Sequence, residues 1–158
     1  MDKEAIIDLI IAELQQEADS LARAAKDSHA YATDEDSQSE SKYDTRGLEA
    51  SYLAGAQAEK ATEVLDAIRK YQALKNAIAD NPSGEGAGVG KLVLVEGPAG
   101  EMAYFLGPDR GGLEIESEGV EVMVITPDAP IARAMEGLAD GQEFSFNGRS
   151  GWKILSVR

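Results

Sequence analysis

The sequence predicts an α+β chain: a long antiparallel α-helical coiled-coil hairpin, then a small antiparallel sheet with one short helix. Three observations predict it. Residues 1–80 hold no proline and only two glycines, Gly47 and Gly55, and are rich in Ala, Leu, Glu and Lys, as long helices are. Residues 80–90, DNPSGEGAGVG, then bring four glycines and a proline together. Beyond them the apolar residues recur with period two instead of at spacings of three and four.

In the first half, Ile7, Ile11, Leu14, Ala18, Leu21 and Ala25 alternate spacings of four and three. Such a heptad-like seam packs a helix along its length against one partner. A second helix is expected over about 44–79, with Asp44 suited to its N-cap. Ala54, Gln57, Ala61, Val64, Ile68, Tyr71 and Ile78 form its stripe, with Leu53, Leu65 and Leu74 beside it. Both seams are too narrow for a globular core, so the two helices read as a hairpin. At ~1.5 Å per residue, a helix of roughly 30 residues reaches about 45 Å, so this half is expected to be a rod. The domains are thus 1–80 (hairpin), 81–90 (linker) and 91–158 (sheet).

In the second half, 91–95 and 101–106 are strand candidates with Gly-Pro-Ala-Gly turning between them. Residues 119–125 alternate and stop at Thr126-Pro127. A short helix is expected over 129–138, with Pro130 in its first turn and Asp128 as N-cap. Asp140-Gly141 signals a turn, and Asn147-Gly148 between two alternating runs signals a β-hairpin. Tyr104, Phe105, Phe144, Phe146 and Trp152 are expected in the core or half-buried.

Composition narrows the function. Acids outnumber bases 29 to 15 in 158 residues, a formal charge of −14. Phosphate backbones and anionic lipid repel such a chain, so independent DNA binding and membrane binding are not expected. A basic protein surface or a metal cation is a more natural partner. With no cysteine, disulfides and Cys-ligated zinc are excluded, which fits a cytoplasmic protein. The first residues, MDKEAIIDLIIAELQQEADS, set acids within the apolar run and do not read as a signal peptide. His29 is the only histidine, so no His-based metal site or His-dependent triad can form within the chain.

One stretch concentrates charge. Residues 32–54 read ATDEDSQSESKYDTRGLEASYLA, with Asp34, Glu35 and Asp36 consecutive and Glu40, Asp44 and Glu49 following. Like charges within helical reach repel. Taken alone, the run is a solvated bend between helices. Lys42 and Arg46 read as internal ion-pair partners or as phosphate contacts, and Tyr43 and Tyr52 as packing residues of the hairpin end.

Three stretches carry a family resemblance: SESKYDTRGLEASYL (39–53), VITPDAPIARAMEGLADGQEF (124–144) and WKILSVR (152–158). Together with the helical hairpin and its acidic end, they resemble the GreA/GreB transcript cleavage (transcription elongation) factors that bind bacterial RNA polymerase. The resemblance implies an FKBP-like sheet domain. It implies that the hairpin enters the polymerase secondary channel and meets the nascent RNA 3′ end only within that complex. Tip acids would then help hold a second Mg²⁺, shared with the polymerase and not bound stably by the factor alone. The factor is not itself an enzyme on this reading; it stimulates the RNA-cleavage activity of the polymerase in trans.

Carried onto this chain, the catalytic candidates are Asp36, Glu40, Asp34 and Glu35, with Asp36 and Glu40 as the metal ligands. Anchored on Tyr43, the family's Asp falls on Asp36 and its Glu falls on Ser39, one residue before Glu40. Asp36 and Glu40, four apart, share a face if the segment is helical. Asp128, Ala129, Pro130, Ile131 and Ala132 resemble the family's polymerase-docking loop and helix start. Two alternatives stand beside cleavage. One is a non-catalytic secondary-channel regulator, motivated by Ser39. The other is a coiled-coil adaptor or holdase, which would present apolar residues near the hairpin end.

Overall fold

The computed structural model describes residues 2–33, 46–80 and 86–158. The expected α+β architecture is present: two long helices, α1 (Lys3–Thr33) and α2 (Arg46–Asp80), precede a six-stranded sheet with one short helix. The chain packs as two compact units, Met1–Ile11 with Arg69–Arg158, and Ala12–Ile68. Composition changes at 81–90, but packing divides the chain inside both helices. The reason is that apolar residues at the helix ends belong to the sheet's core.

In the unit Ala12–Ile68, Leu14, Ala18, Ala54, Val64, Ala67 and Ile68 are buried. Leu21, Ala25, Gln57 and Ala61 are half-buried, so the seam follows the predicted stripe. The Ser28 hydroxyl bonds the Gln57 side-chain oxygen at 3.3 Å across the antiparallel helices. Leu53 and Leu65 depart from expectation, standing 52% and 41% exposed. Each lies one residue, about 100° of helical turn, from a seam residue, and a seam facing a single partner does not reach that far. Ala67 takes the inner position instead, three residues after Val64.

In the other unit the strands are β1 (Leu92–Gly97), β2 (Gly100–Leu106), β3 (Glu114–Ser117), β4 (Val120–Ile125), β5 (Glu143–Phe146) and β6 (Arg149–Val157), ordered β3-β4-β2-β1-β6-β5. The expected antiparallel pairing holds for four neighbours, but β2 and β4 run parallel, with Ala103 beside Val122 and Leu106 beside Ile125. Strand β3 makes this possible: the chain passes beyond β4's position, turns at Glu118-Gly119 and returns beside β2. No alternating apolar pattern over 114–117 announces β3.

The short helix α3 (Pro130–Met135) is tighter than the expected 129–138. Ala129 occupies the N-cap without a side-chain hydrogen bond, so Asp128 is not the cap. The helix stops before Gly137, whose φ of 72° is the left-handed geometry that ends helices. Residues 137–138 then bond to Ala87: Gly137 N donates to its carbonyl and Ala87 N donates to the Leu138 carbonyl, both at 2.8 Å.

Both sheet faces carry a buried core. On one, Val93, Val95, Tyr104, Leu106, Ile125 and Ile154 pack with Ile131, Ala132 and Met135 of α3. On the other, Leu92, Ala103, Phe105, Val122 and Val124 are covered by the helix ends, where Ile6, Ile7, Ile10 and Tyr71 are 0% exposed. A Cβ on Gly90 would lie 3.0 Å from an Ile78 methyl and 3.1 Å from a Leu74 methyl, which shows how closely α2 sits on the sheet. Burying a side chain such as Phe105 contributes about 1.5–3 kcal/mol.

Candidate partner-docking site

Two loops of the sheet unit form a cleft lined by Pro108, Asp109, Arg110, Gly111, Thr126, Pro127 and Asp128. The first loop leaves β2 and is fixed from below by α2. The Tyr71 hydroxyl donates to the Asp109 carbonyl at 2.7 Å, and Lys70 Nζ meets Asp109 Oδ2 at 2.6 Å. Asp109 Oδ1 accepts from the Arg110 backbone N–H at 2.7 Å, while Arg110 sits at φ 61°. The hydrogen bond from Lys70 is the main cause holding the Asp109 carboxyl below its ordinary range, against the effect of its partial burial. Burial pushes the Tyr71 phenol well above its ordinary value, so it stays a proton donor.

The second loop joins β4 to α3. The Ala129 N–H donates to the Thr126 carbonyl at 2.9 Å, a tight turn that sets up Pro130 at the helix start. The Thr126 hydroxyl donates to Asp128 and is the largest cause of its lowered pKa, followed by Asp128's own N–H and, more weakly, the Arg133 charge. Asp128 is therefore a fixed, ionised carboxylate on the surface. A Cβ on Gly111 would lie 3.1 Å from Thr126 Oγ1, so glycine lets the loops approach closely.

Of the five residues expected to dock a partner, Asp128 and Pro130 are exposed and Ala129 is half-buried, while Ile131 and Ala132 point into the core. The surface of this site is thus Asp128 and Pro130, and Ile131 and Ala132 anchor it. Sequence reasoning missed Asp109, Arg110 and Thr126. The GPDRGG stretch (107–112) signals a turn, but only the tertiary fold brings it beside Thr126.

Asp34, Glu35, Asp36 and Glu40 lie outside the described residues, as do Ser39, Lys42, Tyr43 and Asp44. Among the described residues, no group of three or more His, Asp or Glu could hold a metal ion. Beside the acidic stretch, Leu48, Tyr52 and Leu53 of α2 stand 58%, 72% and 52% exposed. Tyr52 is thus not a packing residue of the hairpin end. His29 is exposed. Among the described residues no helix is long and apolar enough to cross a membrane.

No family model matches the chain, and no curated protein matches it. Among solved structures it is similar to one titled "Structure of the transcription factor Gfh1", at 20% identity and a TM-score of 0.37, covering 96% of this chain and 92% of that one.

Proposed function

We propose that the chain is a transcription elongation factor that binds bacterial RNA polymerase through its secondary channel and promotes cleavage of backtracked RNA. The observation that carries this reading is the position of the acid-dense stretch: it joins the end of α1 at Thr33 to the start of α2 at Arg46. An acidic segment between two long paired helices suits insertion into a narrow channel. Leu48, Tyr52 and Leu53 give the adjoining helix apolar surface for a protein wall. In the sheet unit, Asp128 and Pro130 offer a second, preformed contact, which the resemblance of 124–144 assigns to polymerase docking.

The donor set suits the proposed cation. Asp34, Glu35, Asp36 and Glu40 offer only carboxylate oxygens, which hard Mg²⁺ accepts, and the chain has no cysteine and one histidine for softer metals. A cation relieves the mutual repulsion of these acids. Bound jointly with the polymerase, Mg²⁺ would supply Lewis-acid stabilisation of a phosphodiester under attack by water. The chain's part is to deliver the carboxylates and hold them in place.

A backtracked, stalled polymerase complex incubated with the protein and Mg²⁺ is expected to yield shortened RNA. Full-length RNA at saturating protein overturns the cleavage reading. If the protein nonetheless displaces a cleavage-competent factor, it is a non-catalytic channel regulator, the reading that Ser39 favours. The exposed Leu48, Tyr52 and Leu53 also suit an adaptor or holdase, which suppression of client aggregation without polymerase binding would identify.

A further inference from the structure

Strand β3 ends the sheet and, among the described residues, has one edge without a partner strand. The Val124 N–H donates to the Leu113 carbonyl at 2.7 Å, and the same register pairs Ile115 with Val122 and Ser117 with Val120. Residues facing the partner strand alternate in an antiparallel ladder, so Leu113, Ile115 and Ser117 bond to β4. Glu114 and Glu116 therefore turn their backbone N–H and C=O groups to the open edge.

The side chains of the same two residues lie on the face that carries Glu121 and Met123, and Glu116 stands directly opposite Glu121. Like charges so placed weaken a strand pair. A similar pair, Glu96 and Glu101, has Lys153 beside Glu96 on the neighbouring strand. Among the described residues, Glu114, Glu116 and Glu121 have no ion-pair partner. Helix α3 packs toward the other end of this face. What remains open is a groove where Glu121 adjoins Met102, Tyr104 and Met123, continuous with a depression lined by Glu114, Ile115 and Glu116.

We propose that this edge binds an extended basic segment of a partner protein by strand addition. The open N–H and C=O groups of Glu114 and Glu116 supply the ladder. The charge selects the occupant: an added strand with Lys or Arg at alternate positions sets their charged heads beside Glu114 and Glu116, over the depression that these residues line. The intervening residues fall beside the nearly buried Ile115 and Ser117 and suit small apolar side chains. A second copy of this chain is disfavoured, since two such acidic edges repel.

The probe is a fluorescent, end-capped peptide of alternating Lys and Val, titrated into the full chain at physiological ionic strength and read by anisotropy. Saturable binding is expected, with no binding of an alternating Glu-Val peptide. Joint Glu114→Gln, Glu116→Gln and Glu121→Gln substitution is expected to weaken it about tenfold. Glu116→Pro, which removes an outward N–H but no bond to β4, is expected to weaken it as well. In the unsubstituted protein, bound peptide is expected to slow hydrogen exchange at the Glu114 and Glu116 amides. No saturable binding, equal affinity for the substituted chains, or unchanged exchange at those two amides each overturns the proposal. The charges would then serve only to keep the edge from pairing with itself.

Discussion

The Tyr71 hydroxyl donates to the Asp109 backbone carbonyl at 2.7 Å, joining α2 to the loop after β2. The adjacent residue repeats the link, since Lys70 pairs with the Asp109 carboxylate. Two successive helix residues thus hold the backbone and the side chain of one loop residue, and that loop forms a wall of the docking cleft. A perturbation at this contact is expected to reach the cleft without touching its surface.

Tyr71→Phe tests the buried half of the link. The ring is 0% exposed, so the substitution keeps the packing and removes only the hydroxyl. The Asp109 carbonyl then loses its donor. Losing the donor in this part-buried contact costs about 0.5–1.5 kcal/mol. Urea unfolding is expected to show a lowered midpoint with an unchanged slope. A larger loss from Lys70→Ala than from Tyr71→Phe would contradict the assignment, because that pair is solvent-accessible and worth roughly 0–1 kcal/mol.

The pH dependence of the exposed half has a definite sign. The folded pKa of Asp109 is lowered, chiefly by Lys70. A carboxyl lowered on folding stabilises the protein above its unfolded pKa of about 3.9 and loses that contribution as pH falls through the lower folded value. Asp109→Asn keeps an acceptor for the Arg110 N–H and removes the charge. The stability difference between native protein and this variant is expected to be constant from neutral pH to about 5, and to close below about 4. With Asp109 about a third exposed, the plateau should not exceed ~1 kcal/mol. A gap that widens on acidification would rule out this role for Asp109.

Glycines separate close approach from chance. A Cβ on Gly107 would overlap the Tyr71 hydroxyl and lie 3.0 Å from a Val124 methyl, whereas one on Gly55 in α2 meets nothing within 4 Å. Gly107→Ala is expected to destabilise by about 1–3 kcal/mol through forced displacement of Tyr71. Gly55→Ala is expected to stabilise by up to about 1 kcal/mol, because alanine favours the helix and restricts the unfolded chain. Thermal melts of the two variants should therefore shift in opposite directions.

The elements legible in the sequence were those that a local pattern reports. The heptad-like spacing marked both helices, and Asn147-Gly148 marked the β5–β6 hairpin. Strand β3 was not legible, because Glu114-Ile115-Glu116-Ser117 carries one large apolar residue and reads as a polar turn. The parallel β2–β4 pair is likewise non-local: it depends on where the chain returns. The continuous run Ala103-Tyr104-Phe105-Leu106 did hold a clue, since a strand without alternation is buried on both faces. Its second cover is the helix ends, which the composition change at 81–90 had assigned to a separate domain. At the docking site, Asp128 and Pro130 were visible as a loop before a helix, whereas Thr126's hold on Asp128 and the approach of Asp109 required the fold.

The tip acids can be tested by charge. Replacing Asp34, Glu35, Asp36 and Glu40 together with their amides is expected to abolish RNA cleavage while polymerase binding persists. Ser39→Glu restores the carboxylate at the position the resemblance assigns to glutamate and is expected to raise the cleavage rate at least tenfold. Cleavage measured at equal polymerase occupancy distinguishes chemistry from binding. An unchanged rate in Ser39→Glu would mean that Glu40 already serves, or that the channel is occupied without catalysis. The quadruple variant separates these two outcomes.

The apolar side chains beside those acids call for a different measurement. Leu48, Tyr52 and Leu53 are each more than half exposed, so they contribute little to the packing of the chain itself. Joint Leu48→Ser, Tyr52→Ser and Leu53→Ser substitution is expected to change unfolding stability by no more than about 0.5 kcal/mol per site, as surface substitutions do. If these side chains meet a partner, the same change should weaken its binding by at least tenfold, because aromatic and large aliphatic anchors carry much of an interface's energy. Polymerase binding by the triple variant, compared with the quadruple acid variant, then resolves two roles along one segment. Loss of affinity should follow the apolar substitutions, and loss of cleavage at full occupancy should follow the acidic ones. Loss of affinity only in the acidic variant would make charge, not apolar contact, the means by which this segment is held.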